Sequence, residues 1–212
     1  SIAQDIAYLA KLWEYIQNKQ KIIAVPSLIF EELPLPQRVI RDLANEDTSK
    51  IYVDSREIHA KLEEFVCEFV PSMQTRLLHY PGERPLFDLY NVEDDIQKAL
   101  QTRVALKSGG YLMIDQTEAM TTIDVNTGSY VGGRTLEDTV FKTNMEATQV
   151  IGRQLRLRNL GGIIIIDFID MQEAAHREEV MNQFEKMLER DHAKTKITQV
   201  SGLGLVEMTR KR

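Results

Sequence analysis

Residues 119–134 read AMTTIDVNTGSYVGGR, and residues 161–171 read GGIIIIDFIDM. In both stretches a run of strand-forming residues ends in an aspartate: Asp124 follows 120–123, and Asp167 follows 163–166. Aliphatic and β-branched runs of this length, bounded by turn residues, predict strands. A buried strand that ends in a carboxylate delivers the charge to the rim of a sheet, where α/β proteins usually build their sites. The spacing between the two aspartates leaves room for one long crossover helix between parallel or neighbouring strands.

Working outward, Ser108-Gly109-Gly110 predicts a hairpin turn between strands 104–106 and 111–115, and 116–118 turns again into the strand ending at Asp124. A glycine-rich loop over 128–133 leads into a helix from about 136 to 158, whose ending at Asn159-Leu160-Gly161-Gly162 has the glycine expected after a helix C-terminus. A strand over 163–168, a helix over 174–191 and short strands at 196–200 and 204–208 complete an α/β pattern. The first 99 residues read as a separate, more helical unit. Its predicted helices are 2–19, 37–45, 56–69 and 92–99, the last capped at Asn91. A short strand lies at 51–53, and 71–90 reads as loop.

Composition sets the outer bounds. The 212 residues, 43% apolar and 27% charged, are those of an ordinary globular chain. No apolar run approaches the roughly 18 residues of a membrane span. The chain opens inside an amphipathic helix rather than a signal peptide, and without a Met, as a piece of something longer would. A single Cys67 excludes an internal disulfide framework and a cysteine zinc site, and fits a reducing, intracellular compartment. A net charge of −6 argues against general affinity for nucleic acid, although a local basic stripe on an acidic protein is enough.

Asp124 and Asp167 at adjacent strand ends would suit Mg²⁺, which takes one or two carboxylates together with waters and phosphate oxygens. The plainer alternative is that each caps the turn next to it. Asn126 lies two residues beyond Asp124 and so on the same side of an extended strand, where its amide would orient a water or a phosphate oxygen. Asp170 is the weaker candidate, read as a solvated residue or a cap. The loop 127–134 is similar to a phosphate-cradling nest, or else is a tight turn needing glycine; it matches no nucleotide-binding fingerprint. Arg153, Arg156 and Arg158 form a basic stripe, with the helix dipole as the competing explanation. Arg134, Lys142, Lys194 and the terminal 210–212 add cations that would meet a phosphate backbone. The four histidines read as surface or structural, and Ser129 has no histidine near it in sequence.

These runs, together with GLVEMTRKR at 204–212, resemble the catalytic region of the ribonuclease E/G family, and VGGR with IIIIDFIDM is more similar to its G branch. The resemblance is strong from about residue 85 onward and weaker, though recognisable in helix pattern, before it. It implies three parts: the tail end of a 5′-sensor region (1–35), part of an RNase H-like subdomain (36–99) and a DNase I-like catalytic subdomain (100–212). It implies Asp124 and Asp167 as Mg²⁺ ligands, with Asn126 completing the catalytic set, and Arg134, Arg153, Arg156, Arg158 and Lys194 as candidate RNA contacts. The implied activity is internal, metal-assisted hydrolysis of single-stranded RNA, leaving 5′-phosphate and 3′-hydroxyl ends, in ribosomal RNA maturation and messenger RNA decay. The implied setting is the bacterial cytoplasm, and the implied assembly of the full-length protein a homodimer or higher homo-oligomer. The family's S1 RNA-binding domain and most of its 5′-sensor would precede this chain, and a zinc-binding cysteine pair would come after it. A chain without them is expected to cut RNA more weakly than the full-length enzyme. The rival readings are an RNA-binding scaffold that has lost catalysis and a phosphohydrolase of small molecules, against which the intact pair of aspartates and the open glycine loop weigh.

Overall fold

The computed structural model describes residues 2–128, 135–201 and 204–211, with backbone alone at 2–4 and 199. The chain divides into two compact units, Ser1–Tyr90 and Asn91–Arg212. The sequence reading put boundaries after residues 35 and 99. The second boundary falls earlier because the helix after Tyr90 belongs to the second unit: Asp95 on that helix pairs with Arg153 at 2.6 Å. Residues 1–35 do not separate from 36–90, since Tyr8 and Leu33 pack on the same core as Ile40.

The first unit runs α1 (Ile2–Ile22), α2 (Leu35–Leu43), β1 (Ile51–Val53), α3 (Arg56–Phe69), a 3-10 turn (Pro71–Arg76), β2 (Leu77–His79) and α4 (Leu86–Leu89). Its buried centre is Ile40, Leu62, Phe65, Val66, Met73 and Leu77. The Ser55 hydroxyl caps α3 by accepting the Ile58 amide at 3.3 Å. Residues 71–90, expected as loop, fold into the turn, β2 and α4. Burial of Met73 and Leu77 against α3, and parallel pairing of β2 with β1, supply what local periodicity lacks. Arg76 steadies the preceding loop by donating to the carbonyls of Asn45, Glu46 and Thr48.

The second unit holds α5 (Val92–Ala99), β3 (Arg103–Ala105), β4 (Tyr111–Gln116), β5 (Met120–Asn126), α6 (Leu136–Leu157), β6 (Gly162–Asp167), α7 (Ala174–Leu188), β7 (Thr195–Val200) and β8 (Val206–Arg210). The strands make one six-stranded mixed sheet in the order β3-β4-β5-β6-β8-β7, in which only β5 and β6 are parallel. That exception comes from α6, a 22-residue connection that carries the chain back before β6 begins. α6 starts at a capping box in which Thr135 and Asp138 exchange side-chain and backbone bonds. Its C-terminus differs from expectation. Asn159, at φ 47°, takes the left-handed position foreseen for glycine, and the Leu160 amide closes onto the Leu155 carbonyl. At the start of α5, Asn91 is likewise left-handed and makes no side-chain cap.

Alternation sorts the sheet into two faces. Leu112, Ile114, Ile123, Val125, Ile164, Ile166, Val206 and Met208 enter one core with Ala147, Ile151 and Leu155 of α6 and Val180, Phe184 and Leu188 of α7. Both helices therefore lie on one face. The other face presents Met113, Thr122, Asp124, Asn126, Ile163, Ile165 and Asp167, with Ile163 49% exposed.

Candidate metal centre at the strand ends

Asp124 and Asp167 are direct partners in the β5–β6 register. Parallel strands stand about 4.8 Å apart, so the two carboxylates leave the sheet side by side on its outer face. Both are exposed. β5 continues to Asn126, so Asp124 stands one pleat inside the strand end rather than beyond it. It is therefore not a helix or turn cap. Asn126 shares its side, and its Nδ2 donates to Asp124 Oδ2 at 2.7 Å. The amide thus orients the carboxylate itself, where the sequence pointed only to a water or phosphate.

Among the described residues no cation pairs with either carboxylate. Partial burial at the strand end, then the charge of Asp124, then that of Asp170, hold the Asp167 carboxyl above the ordinary carboxylate range. Two like charges placed together in this way are relieved by a divalent cation. The donor set, two carboxylates and a neighbouring amide, suits a hard divalent cation. Among the described residues no cluster of three or more His, Cys, Asp or Glu comes to metal-ligand spacing.

Three neighbours of the pair were not evident in the sequence. Asn144, on α6 and fully buried, donates through Nδ2 to the Ile169 carbonyl (2.8 Å) and accepts the Ile169 amide on Oδ1 (3.1 Å). It fixes the chain two residues past Asp167. Glu146 accepts the amides of Lys107 (2.5 Å) and Ser108 (3.1 Å), pinning the β3–β4 turn from α6. That turn abuts the end of β5: a methyl group on Gly110 would stand 2.6 Å from the Asn126 carbonyl, and one on Gly128, at φ +60°, 2.6 Å from the Gly109 carbonyl. Glu137 accepts the amides of Gln172 and Glu173 and meets His176 at 3.2 Å, which draws its carboxyl below the usual range. Of the three, Asn144 left a trace in the sequence: an amide in register with Val140, Ala147 and Ile151 on the buried stripe of α6.

The other candidates are dispersed. Arg134 and most of the glycine-rich loop lie outside the described residues. Arg153, Arg156 and Arg158 stand near the C-terminal end of α6, and Lys194 just before β7, whose first residue Thr195 pairs with Arg210 and through it with Gly162. This is the rim at which β6 begins, opposite the rim that carries Asp167. Arg153 is held by Asp95, and Arg158 is half-buried and donates to Gln154 Oε1. Arg210, counted with the terminal cations, is only 7% exposed. It binds Asp191 at 2.7 Å, the Asn159 side chain and the Leu160 carbonyl, and so serves the fold.

The class these features define is an α/β unit with two carboxylates and an orienting amide on neighbouring strands of a mixed sheet, an oxygen-donor set suited to a hard divalent cation. The Ribonuclease E/G family model matches residues 1–212. The chain belongs to the ribonuclease E/G family. It is 55% identical over 211 residues to Ribonuclease G of Salmonella typhimurium (strain SL1344) and 54% identical over 211 to that of Escherichia coli (strain K12), covering 100% of this chain and 43% of each relative. It is 40% identical over 208 residues to Ribonuclease E of Haemophilus influenzae, covering 98% of this chain and 22% of the relative. The chain thus spans less than half the length of these relatives. The likeness also runs through the first 84 residues, where the motifs alone were less telling.

Proposed function

We propose that the second unit is the Mg²⁺-dependent catalytic centre of an endoribonuclease, which cuts single-stranded RNA internally to leave 5′-phosphate and 3′-hydroxyl ends. In this reading the second unit is the DNase I-like subdomain, and the first combines the end of a 5′-sensor with part of an RNase H-like subdomain. The reading extends to ribosomal RNA maturation and messenger RNA decay in the bacterial cytoplasm, and to a full-length protein that assembles as a homodimer or higher homo-oligomer. No helix among the described residues is long and apolar enough to cross a membrane.

The observation that carries the proposal is the direct register of Asp124 with Asp167 across the parallel strand pair. When bound there, a divalent cation supplies positive charge that favours ionisation of water and offsets charge gathering on the attacked phosphate. The chain's residues do the placing. Asp124 and Asp167 hold the cation, and Asn126 sets the rotamer of Asp124 through the 2.7 Å bond. Asn144 and Glu146 fix the backbone on either side, so little reorganisation is left for the reaction. Asp124, Asp167 and Ile163 are exposed on the outer face, which suits a polymer crossing the strand ends better than a small molecule in an enclosed pocket. Arg156 and Lys194, exposed at the opposite rim, would meet a more distant part of the same strand.

Asp124→Asn and Asp167→Asn should each lower Mg²⁺-dependent cleavage of a 5′-phosphorylated single-stranded oligonucleotide by about a hundredfold or more, since even outer-shell changes at metal sites cost 10–100-fold. Circular dichroism should show the fold intact. Cleavage retained in either variant rejects the site.

A further inference from the structure

The rim that carries Asp124 and Asn126 holds a second pair of side chains. Arg103 lies opposite Met113, and Ala105 opposite Tyr111, between β3 and β4. Met113 in turn faces Asp124, and Tyr111 faces Asn126, between β4 and β5. Since Asp124 faces Asp167, one row across four strands reads Arg103, Met113, Asp124, Asp167. Tyr111 stands one pleat nearer the rim, a strand away from Asn126. It is on the outer face, because its neighbour Leu112 is completely buried in the core beneath α6 and α7.

Arg103 is exposed, and its guanidinium carbon stands 4.1 Å from the centre of the Tyr111 ring. That is stacking contact. No carboxylate among the described residues lies within ion-pair distance of Arg103, and among them the Tyr111 ring is its side-chain contact. Ala105, the partner of Tyr111 in register, adds only a methyl group beside the ring. A guanidinium held over an aromatic ring is a prepared platform. Its free face is weakly hydrated and accepts a nucleobase, while its N–H edge points donors toward phosphate oxygens. It also brings a cation to the row of strand residues that holds the two carboxylates, where a polyanion needs one.

The distances place it. Strand spacing puts the Tyr111 backbone about 5 Å from that of Asn126 and about 7–8 Å, diagonally, from that of Asp124. A polynucleotide with one phosphate at the carboxylate pair carries its neighbouring nucleotide over this platform. We propose that Arg103 and Tyr111 form a stacking subsite for an unpaired nucleobase flanking the cleaved phosphodiester bond. The subsite rests on the reading of Asp124 and Asp167 as the place of the attacked phosphate. It restricts the substrate to single strands, because a base stacked on the guanidinium cannot remain in a helix.

The test is binding of a fluorescein-labelled single-stranded RNA to the chain with Asp167→Asn, measured by anisotropy. Arg103→Ala and Tyr111→Ala should each weaken binding about tenfold, the range of one base–aromatic stack. Arg103→Lys should weaken it nearly as much, because an ammonium keeps the charge and loses the plane. An abasic nucleotide beside the cut position should cost the unsubstituted platform a similar factor and cost Arg103→Ala nothing further. In the active chain the same substitutions should raise KM with kcat little changed. Wild-type binding by Arg103→Lys, or an abasic penalty that persists in Arg103→Ala, overturns the subsite. Should Asp167→Asn itself still cut RNA, the reading of the carboxylates fails. Should Asp167→Asn be inactive while Arg103→Ala and Tyr111→Ala bind normally, only the platform fails.

Discussion

At the scale of single residues, the centre depends on atoms that approach backbone more closely than any side chain permits. Gly110 is the clearest case, because its place beside the Asn126 carbonyl leaves no room for a methyl group. Gly110→Ala must push the end of β5 away and with it the amide that holds Asp124. The expected result is a loss of about 1–3 kcal/mol in thermal unfolding, as for other overpacked sites, with a fall in cleavage out of proportion to it. Wild-type cleavage by this variant would separate Asn126 from the reaction. The same scale shows three of the histidines engaged with neighbours. His176 lies between Glu137 and Glu173 and stacks on Phe141 at 4.3 Å, and His59 sits against His79 and Glu63.

At the scale of elements, α6 does more than connect β5 to β6. Its buried stripe packs the sheet, and three of its side chains fasten backbone around the carboxylates: Glu137 at 172–173, Asn144 at Ile169 and Glu146 at the 107–108 turn. Of these Asn144 is the most directly testable by substitution, since removing it leaves both polar groups of the half-buried Ile169 without their partner. Asn144→Ala should cost about 2–4 kcal/mol in urea unfolding, one desolvation penalty for each orphaned group. A loss below about 0.5 kcal/mol would mean that Ile169 finds other partners. Helix α6 was legible in the sequence, from its capping residues, its apolar period and its length. Its fastening role was not, because the bonds join residues some 25 to 39 positions apart.

At the scale of the second unit, the rim opposite the Asp124–Asp167 pair is closed by a buried ion pair. Burial pushes the Asp191 carboxyl up, but the Arg210 guanidinium, the Ala193 amide and the charges of Arg210 and Arg156 outweigh it and hold it below the ordinary carboxylate range. A carboxylate lowered on folding contributes stability that is present above its unfolded pKa and lost as pH falls through the folded value. The unit should therefore lose stability below about pH 4, the unfolded aspartate value. Asp191→Asn should flatten that acid limb and lower stability near neutrality, as unpairing a buried arginine does. Urea unfolding from pH 6 downward measures both, and an unchanged acid limb would remove the pair from the account.

Much of the fold could be read from the chain alone. Strand runs, capping residues and glycines are local signals, and they marked the α/β pattern, the long crossover helix and the two aspartates near the strand ends. Other features depended on contacts between distant segments. Those contacts made β2 and the 3-10 turn out of 71–79, moved the unit boundary to Tyr90, and assigned Arg210 to an ion pair rather than to solvent. Register was the last of these. Pattern placed Asp167 at the end of its strand and Asp124 near the end of its own, which runs on to Asn126. Only pairing of β5 with β6 set them opposite one another on the face away from α6 and α7, because a shift of one residue would have turned one carboxylate into the core.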